Sequence, residues 1–167
     1  AENLNMKLRI PTIAREINEE MIKHAVSLTK DALKECEKTL RRAKIALLGI
    51  TQAPNMKSPP KTAAKELATA LEAKGAKISL HDPYFSENEL TDVPYSFKKN
   101  LLEAVEGADC VIILTGHDQF KHFNLKKLKV IMKKPAAVVD FEGIMEPDRV
   151  EKEGFIYRGL GRGVWKK

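Results

Sequence analysis

The stretch KIALLGI, residues 44–50, is the part of the sequence that decides the fold. Its apolar residues 45–48 are consecutive, and a continuous run of this length is typical of a strand that is buried on both faces. The pattern recurs along the chain, and the predicted strands are 44–50, 77–81, 109–115, 136–140 and 155–157. The predicted helices between them are 61–74, 101–106 and 125–132. Strands that alternate with helices predict an α/β domain, a Rossmann-like open parallel sheet with helices on both faces.

A regular apolar stripe upstream of the first strand predicts one long N-terminal helix. The stripe begins at Ile13, Ile17 and Met21 and continues every three or four positions to Leu40. A helix of about 29 residues spans roughly 43 Å, whereas the domain that follows has an expected radius of gyration of only about 15 Å. We therefore expect the stripe to be buried by a second subunit, as a homodimer, or by an upstream domain. The predicted division is a connector and dimerisation helix, 1–42, and an α/β domain, 43–167.

The composition of the 167 residues excludes several classes of protein. Hydrophobic residues make up 43% and charged residues 31%, so the chain can bury a core. It has no run of the roughly 20 apolar residues that span a membrane, and its start lacks the layout of a signal peptide. We expect a cytoplasmic protein that is not associated with a membrane. The net charge of +6 favours anionic ligands, but the charges are scattered and aromatics are only 6%, so a nucleic-acid partner rests on net charge alone.

The two cysteines do not indicate a metal site or a nucleophile. Cys36 lies on the apolar side of the helical pattern and Cys110 lies in the apolar run 110–114. Neither forms a C-x-x-C pair or a zinc-type spacing with a histidine. We interpret both as buried small hydrophobic residues, and we expect no metal.

Ligands of an open parallel sheet bind beyond the carboxyl ends of its strands. Polar residues follow each of the first four predicted strands, and the candidate substrate-binding residues at or near these ends are Thr51, Asn55, Lys57, Asp82, Tyr84, His117 and Glu142. Only Gly49 follows the first strand, where the dinucleotide fingerprint G-x-G-x-x-G needs three glycines, so a complete NAD site is not expected here. The helix after Pro60 can offer its N-terminal amides to a phosphate, with Lys57 and Lys61 adding charge.

Two interpretations of His117 remain open at this point. Its imidazole could titrate near neutral pH as an acid–base group, or it could cap a loop by hydrogen bonding to the backbone. The sequence shows no G-x-S-x-G motif, no cysteine near a histidine and no paired carboxylates in one motif. We therefore expect a nucleotide-type binding module without a catalytic apparatus of its own.

Six short motifs in order resemble the UDP-glucose/GDP-mannose dehydrogenase family of nucleotide-sugar 6-dehydrogenases. The resemblance covers residues 10–163, and its motifs are AREINEEM (14–21), LGI (48–50), GAK with HDPY (75–84), ADCVI with TGHDQF (108–120), VVD (138–140) and GFIYRGLGRG (154–163). Each motif alone is weak, whereas their common order and spacing are specific. The resemblance covers only the central helix and the C-terminal domain of that family.

The resemblance implies a function for a longer protein of which this chain would be a fragment, or for a family of which it would be a divergent member. Members use two NAD equivalents to oxidise the 6-hydroxyl of a nucleotide-diphosphate sugar to a carboxylate. An N-terminal domain holds NAD, a cysteine in G-x-C-x-x-K-D is the nucleophile, the long helix builds the dimer, and the C-terminal domain closes over the substrate. This chain would therefore bind a UDP-sugar and be inactive by itself, with NAD held mainly by a domain outside it and Arg162 as the one cofactor-binding candidate.

The sequence departs from the family at charged positions. Ala53 stands at the substrate-binding lysine position, a deletion of about four residues removes an acidic pair and a cofactor-contacting arginine, and Glu142 replaces an arginine that reaches the substrate. A carboxylate repels a diphosphate, and Lys57 is a candidate replacement for the lost cation. The alternative interpretation is a non-catalytic binding or assembly module.

Overall fold

The sheet is built around the buried run 44–50 and contains six strands. The computed structural model describes residues 9–86, 89 and 95–161. Its strands are β1 Lys44–Leu48, β2 Lys77–His81, β3 Ser96–Phe97, β4 Cys110–Ile113, β5 Ala137–Asp140 and β6 Ile156–Gly159. All neighbours are parallel and the order is β3-β2-β1-β4-β5-β6. The order reverses between β1 and β4, which is the position where doubly wound sheets bind ligands.

Helices cover both faces of this sheet, as the sequence predicted. The helices are α1 Arg9–Glu35, α2 Thr62–Ala73, α3 Leu101–Val105, α4 Asp118–Lys121, α5 Leu125–Ile131 and α6 Pro147–Lys152. Successive side chains of β1 point to opposite faces. Ile45 and Leu47 therefore join the core under α1 and α2, whereas Ala46 and Leu48 join the core under α3, α5 and α6.

The long N-terminal helix ends earlier than the continuous stripe predicted. Glu37 takes a left-handed conformation with φ 57°. The Glu37 N–H donates to Lys34 O and the Lys38 N–H donates to Leu33 O, which is the Schellman arrangement that closes a helix. Leu40 is still buried, but it lies beyond the helix end.

Only the carboxyl-terminal half of α1 packs against the sheet. Ala32 and Leu33 are fully buried in the core, whereas Ile13 and Ile17 are 53% and 52% exposed. Helix α1 has 27 residues and is therefore about 40 Å long. Its first turns thus present an apolar stripe that the described part of this chain does not cover.

Within the described residues, none of the helices combines the length and apolar character that crossing a bilayer requires.

The carboxyl ends of the central strands lie level with one another. Leu48 at the end of β1 pairs with His81 of β2 and with Ile113 of β4. Gly49 follows with φ +78°, and a Cβ on it would lie 2.8 Å from both Cβ and O of Thr115. The loops after β1 and β4 are therefore in direct backbone contact, and the residues that follow the strands meet at one place.

Candidate functional site

Asp82 joins the loop after β1 to the end of β2. The residue is 1% exposed. Its Oδ2 accepts the N–H groups of Ile50 and Thr51 at 2.7 and 3.1 Å, and its Oδ1 accepts the N–H of Tyr84 at 2.9 Å. The carboxylate therefore satisfies three main-chain donors where the chain leaves the sheet.

His117 connects the loop after β4 to the same cluster. The imidazole is fully buried, its Nδ1 accepts the Asn55 N–H at 2.9 Å, and its Nε2 lies 3.0 Å from Thr51 Oγ1 and 3.3 Å from Asp82 Oδ2. Because Nδ1 accepts a hydrogen bond, we assign the proton of the neutral ring to Nε2. Protein groups thus occupy both ring nitrogens, and the ring ties three loops together.

The cluster extends outward through an aromatic ring and an amide. The Tyr84 ring lies 5.1 Å from the His117 ring, and Tyr84 is partly open to solvent. Asn55 has φ 60°, and its Oδ1 accepts the N–H of Asp118 at 2.9 Å. Thr115 Oγ1 donates to Thr51 O at 2.6 Å, which closes the network from the β4 side. Tyr84 and Asn55 are therefore the network members that a ligand can reach.

A second carboxylate, Asp140, holds the loop after β5. It is fully buried. Its Oδ1 accepts the N–H groups of Glu142 and Gly143, and its Oδ2 accepts the N–H of Met145 at 2.8 Å. These bonds hold the backbone of the loop that carries Glu142.

Glu142 is paired with a lysine at this rim. Lys61, which immediately precedes α2, places its Nζ 3.1 Å from Glu142 Oε1 and 2.8 Å from Leu114 O. The pair lies at a groove of about 220 Å³ that Met21, Phe141 and other apolar side chains line. The candidate set drawn from the sequence does not contain Lys61, although its place at a helix start marked it as a source of charge.

Lys57 lies on a different part of the rim. Its ammonium pairs with Glu89 and lies 5.9 Å from the centre of the Phe85 ring. The hydrogen bond from Lys57, together with those from Ser86, lowers the pKa of Glu89 to about 2. Lys57 therefore already has a carboxylate partner, which an anionic ligand would have to displace.

Together, five of the predicted site residues form one hydrogen-bonded and stacked cluster: Thr51, Asn55, Asp82, Tyr84 and His117. Lys57 and Glu142 lie on the surrounding rim in separate ion pairs. Arg162 lies outside the described residues.

A protein-family model matches the part of the chain that contains this cluster. The model of the "UDP-glucose/GDP-mannose dehydrogenase family, UDP binding domain" matches residues 46–147. The chain belongs to this family. The match runs from β1 to the start of α6 and includes the whole cluster around Asp82 and His117. The resemblance inferred from the motif order is thereby confirmed.

Several similar proteins are named as dehydrogenases of nucleotide sugars. The UDP-N-acetyl-D-mannosamine dehydrogenase of Methanocaldococcus jannaschii is 31% identical over 90% of this chain and 33% of its own length. The UDP-glucose 6-dehydrogenase of Rhizobium meliloti is 33% identical over 74% of this chain and 28% of its own length. The solved NDP-N-acetyl-D-galactosaminuronic acid dehydrogenase from Methanosarcina mazei Go1 superposes with a TM-score of 0.84 and 26% identity, over 96% of this chain and 35% of that one. The chain thus spans about a third of the length of these dehydrogenases.

The two cysteines are buried, which disfavours their reactive thiolate form. Burial raises the pKa of the Cys36 and Cys110 thiols. Within the described ranges, no three His, Cys, Asp or Glu side chains are grouped so that they could hold a metal ion.

We expect His81 to make the stability of this domain depend on pH. The ring is buried, its Nδ1–H donates to Lys98 O at 2.9 Å, and its Nε2 is without a hydrogen-bond partner among the described residues. Burial lowers the pKa of His81. The unfolded chain therefore takes up a proton more readily, so stability is complete above the ordinary pKa of about 6.5 and falls as pH drops below it.

We expect the free energy of unfolding to decline as pH falls from about 6.5 to about 5, by no more than about 1.4 kcal/mol per pH unit for this one proton. The variant His81→Asn keeps a donor for Lys98 O and should remove this part of the decline. Urea unfolding at a series of pH values measures it, and the exposed His122→Asn is the control. An unchanged decline in His81→Asn would assign the pH dependence to other groups.

Proposed function

We propose that this chain is the UDP-sugar-binding part of an NAD-dependent dehydrogenase that oxidises the 6-hydroxyl of the sugar to a carboxylate. The observation that carries the proposal is the match to a UDP binding domain across the cluster at the carboxyl ends of β1, β2 and β4. That is the position at which doubly wound sheets bind nucleotides. The chemistry itself would be completed by parts that lie outside this chain.

The buried and the open residues of the site have different roles in this proposal. Asp82, His117 and Thr51 hold the loops, because they are buried and bonded to the protein. Tyr84 and Asn55 lie on the open rim of the site. There the Tyr84 ring can stack on the base of a nucleotide, and the Asn55 amide can hydrogen-bond to that base. The proposed contacts of the ligand are therefore with the rim, and the cluster positions that rim.

Lys61 is the proposed partner of the diphosphate. It lies at the amino end of α2, where the first N–H groups of a 12-residue helix also favour an anion. Glu142 now holds Lys61 in place and offsets its charge. A bound diphosphate would compete with Glu142 for Lys61, which moderates the repulsion expected from a carboxylate at this position.

The described residues do not fit a dinucleotide cofactor. The N–H groups of Ile50 and Thr51, which a pyrophosphate would need, already donate to Asp82. Gly49 is packed so tightly against Thr115 that even a Cβ would collide. We therefore propose that NAD is held by another part of the dehydrogenase. The 167-residue chain alone should not reduce NAD with any UDP-sugar, and measurable reduction would refute this.

Calorimetric titration tests the proposed ligand. UDP, UDP-N-acetylglucosamine and UDP-N-acetylmannosamine are titrated into the chain, and we expect sub-millimolar binding of at least one. Lys61→Gln should weaken it by about tenfold, the loss of one charge-assisted hydrogen bond, whereas Lys126→Gln on the exposed face of α5 should not. Absence of binding for all three ligands would instead favour a non-catalytic assembly module.

We also propose that residues 1–42 act as a connector that pairs two chains through α1. The uncovered stripe of Ile13, Ile17 and Met21 supports a homodimer. Ile17→Asp should give monomers, because it places a carboxylate in the apolar contact. Asn18→Asp adds the same charge beside the stripe and should leave the dimer intact. Light scattering measures both, and an unchanged mass for Ile17→Asp would contradict pairing through this stripe.

A further inference from the structure

A pocket of about 190 Å³ lies at the opposite edge of the sheet, where the strands begin. It is formed by the turn after α1, the start of β1 and the segment before β5. The residues that line it are Lys38, Thr39, Arg41, Arg42, Ala43, Asp109 and Lys133. Four of these seven side chains are cationic, and Asp109 is the one carboxylate among them.

The charge of Asp109 is already neutralised inside the pocket wall. Its Oδ1 pairs with Lys38 Nζ at 2.7 Å, and its Oδ2 accepts the Lys44 N–H at 2.9 Å. Lys38 also donates to the carbonyl oxygens of Lys133 and Pro135. Because an ammonium has three N–H donors, Lys38 has none left for a ligand. The Lys38–Asp109 pair is therefore part of the wall, with no net charge.

Three cations in the pocket have side-chain donors that no described residue accepts from. Arg41, Arg42 and Lys133 are exposed, and none of them has a carboxylate within ion-pair distance in the described part of the chain. Like charges gathered in a concave surface raise the local potential and attract counter-ions. Lys44 and Lys77, at the starts of β1 and β2, extend the same positive edge.

The two arginines are held in position by the backbone. Arg42 has φ 69°, and its N–H donates to Gly75 O at 2.7 Å. A Cβ on Gly75 would lie 3.3 Å from Arg41 Cγ, so the stem of Arg41 packs directly against that glycine. The left-handed conformation is unfavourable for arginine. Both residues line the pocket, and the hydrogen bond and the glycine contact fix the course of the backbone that carries them.

We propose that this pocket is a second anion site, which binds the phosphate or diphosphate group of a soluble ligand. Arginine forks match phosphate oxygens, and Lys133 adds a further charge. The pocket volume of about 190 Å³ corresponds to the volume of about six water molecules. It is smaller than the roughly 300 Å³ at which pockets for whole small molecules begin. The pocket therefore takes the charged end of its ligand. This inference is independent of the proposed UDP-sugar site.

Titration of inorganic pyrophosphate into the 167-residue chain by calorimetry tests the site. The chain should bind pyrophosphate, more weakly as salt is raised. Arg41→Gln combined with Arg42→Gly should weaken binding by about tenfold or more. Glycine suits the positive φ of residue 42, so this variant should fold, and its thermal unfolding is measured in parallel. Lys133→Gln, a change on an exposed loop, should also weaken binding and serves as a second, independent variant.

Matched variants distinguish this pocket from general charge attraction and from the other edge of the sheet. Lys126→Gln with Lys127→Gln removes two exposed charges from α5 and should leave binding unchanged. Because Lys61 is the proposed diphosphate partner at the other edge of the sheet, the arginine variant is also measured in the Lys61→Gln background, where it should cause the same loss. An equal loss in the α5 variant, or loss only in Lys61→Gln, would overturn the assignment, as would absence of binding. Binding of phosphatidic acid vesicles without binding of pyrophosphate would assign the pocket to a lipid headgroup and overturn the soluble ligand.

Discussion

Gly49→Ala should destabilise the domain by about 3–5 kcal/mol, a large part of the 5–15 kcal/mol that typically stabilises a domain. The left-handed φ of +78° contributes about 1–2 kcal/mol of this cost. The remainder comes from the new Cβ, which would lie 2.8 Å from Thr115 Cβ and from its carbonyl oxygen. Backbone atoms cannot rotate away, so the ends of β1 and β4 would have to separate.

The chain offers a control for the conformational part of this cost. Gly161 has nearly the same φ, +68°, but a Cβ there meets nothing within 4 Å. Gly161→Ala should therefore cost only about 1 kcal/mol. Urea unfolding of both variants measures the difference. Equal losses of unfolding free energy in the two variants would mean that the clash of the new Cβ with Thr115 does not destabilise the domain.

Asp82→Ala should cost about 3–5 kcal/mol of unfolding free energy and abolish measurable UDP-sugar binding. The change leaves the buried N–H groups of Ile50 and Thr51 without an acceptor, at about 1–3 kcal/mol each. It also frees the Tyr84 N–H and removes a partner of His117. The loops after β1 and β2 would then lose their connection, and the rim would lose its shape.

A graded series separates the bonds of Asp82 from its volume. Asp82→Asn keeps the size of the side chain but turns one acceptor oxygen into an NH₂ donor. This donor faces a backbone N–H in either orientation of the amide. We therefore expect a loss of stability and of UDP-sugar binding that is intermediate between those of the wild type and Asp82→Ala. Asp118→Ala removes an exposed carboxylate that pairs with Lys121 and should change stability little. Denaturant unfolding and calorimetry are applied to all three. Full UDP-sugar binding by folded Asp82→Ala would refute the positioning role.

The sequence predicted the parts of the fold that carry strong local patterns. The apolar run 77–81 coincides with β2, but the run 44–50 ends as a strand at Leu48 because Gly49 turns out of the ladder. The structure adds β3, α4 and α6, which the sequence patterns did not predict. They have two, four and six residues, too few for a period of two or 3.6 to emerge.

The site was predictable by position but not by bonding. Parallel strands place their carboxyl ends at one edge, so Thr51, Asp82 and His117 could be expected to lie close together. Which groups are buried depends on partners far away in the chain. Lys61 and Glu142, for example, are 81 positions apart. From the sequence, the negative charge of Glu142 suggested that a diphosphate would be repelled. In the structure that charge is paired with Lys61, which no local motif connects to Glu142.

The first turns of α1 make few contacts with the rest of the described domain. Their helical conformation therefore needs stabilising contacts from another surface. Isolated helical segments shorter than about 12–15 residues are marginal in water. If two chains meet through these turns, association and coil-to-helix ordering become a single thermodynamic event. Part of the free energy of contact between the chains then offsets the conformational entropy lost on ordering the helix. The affinity between the chains should therefore be lower than the buried area alone implies. It should also fall more steeply on warming.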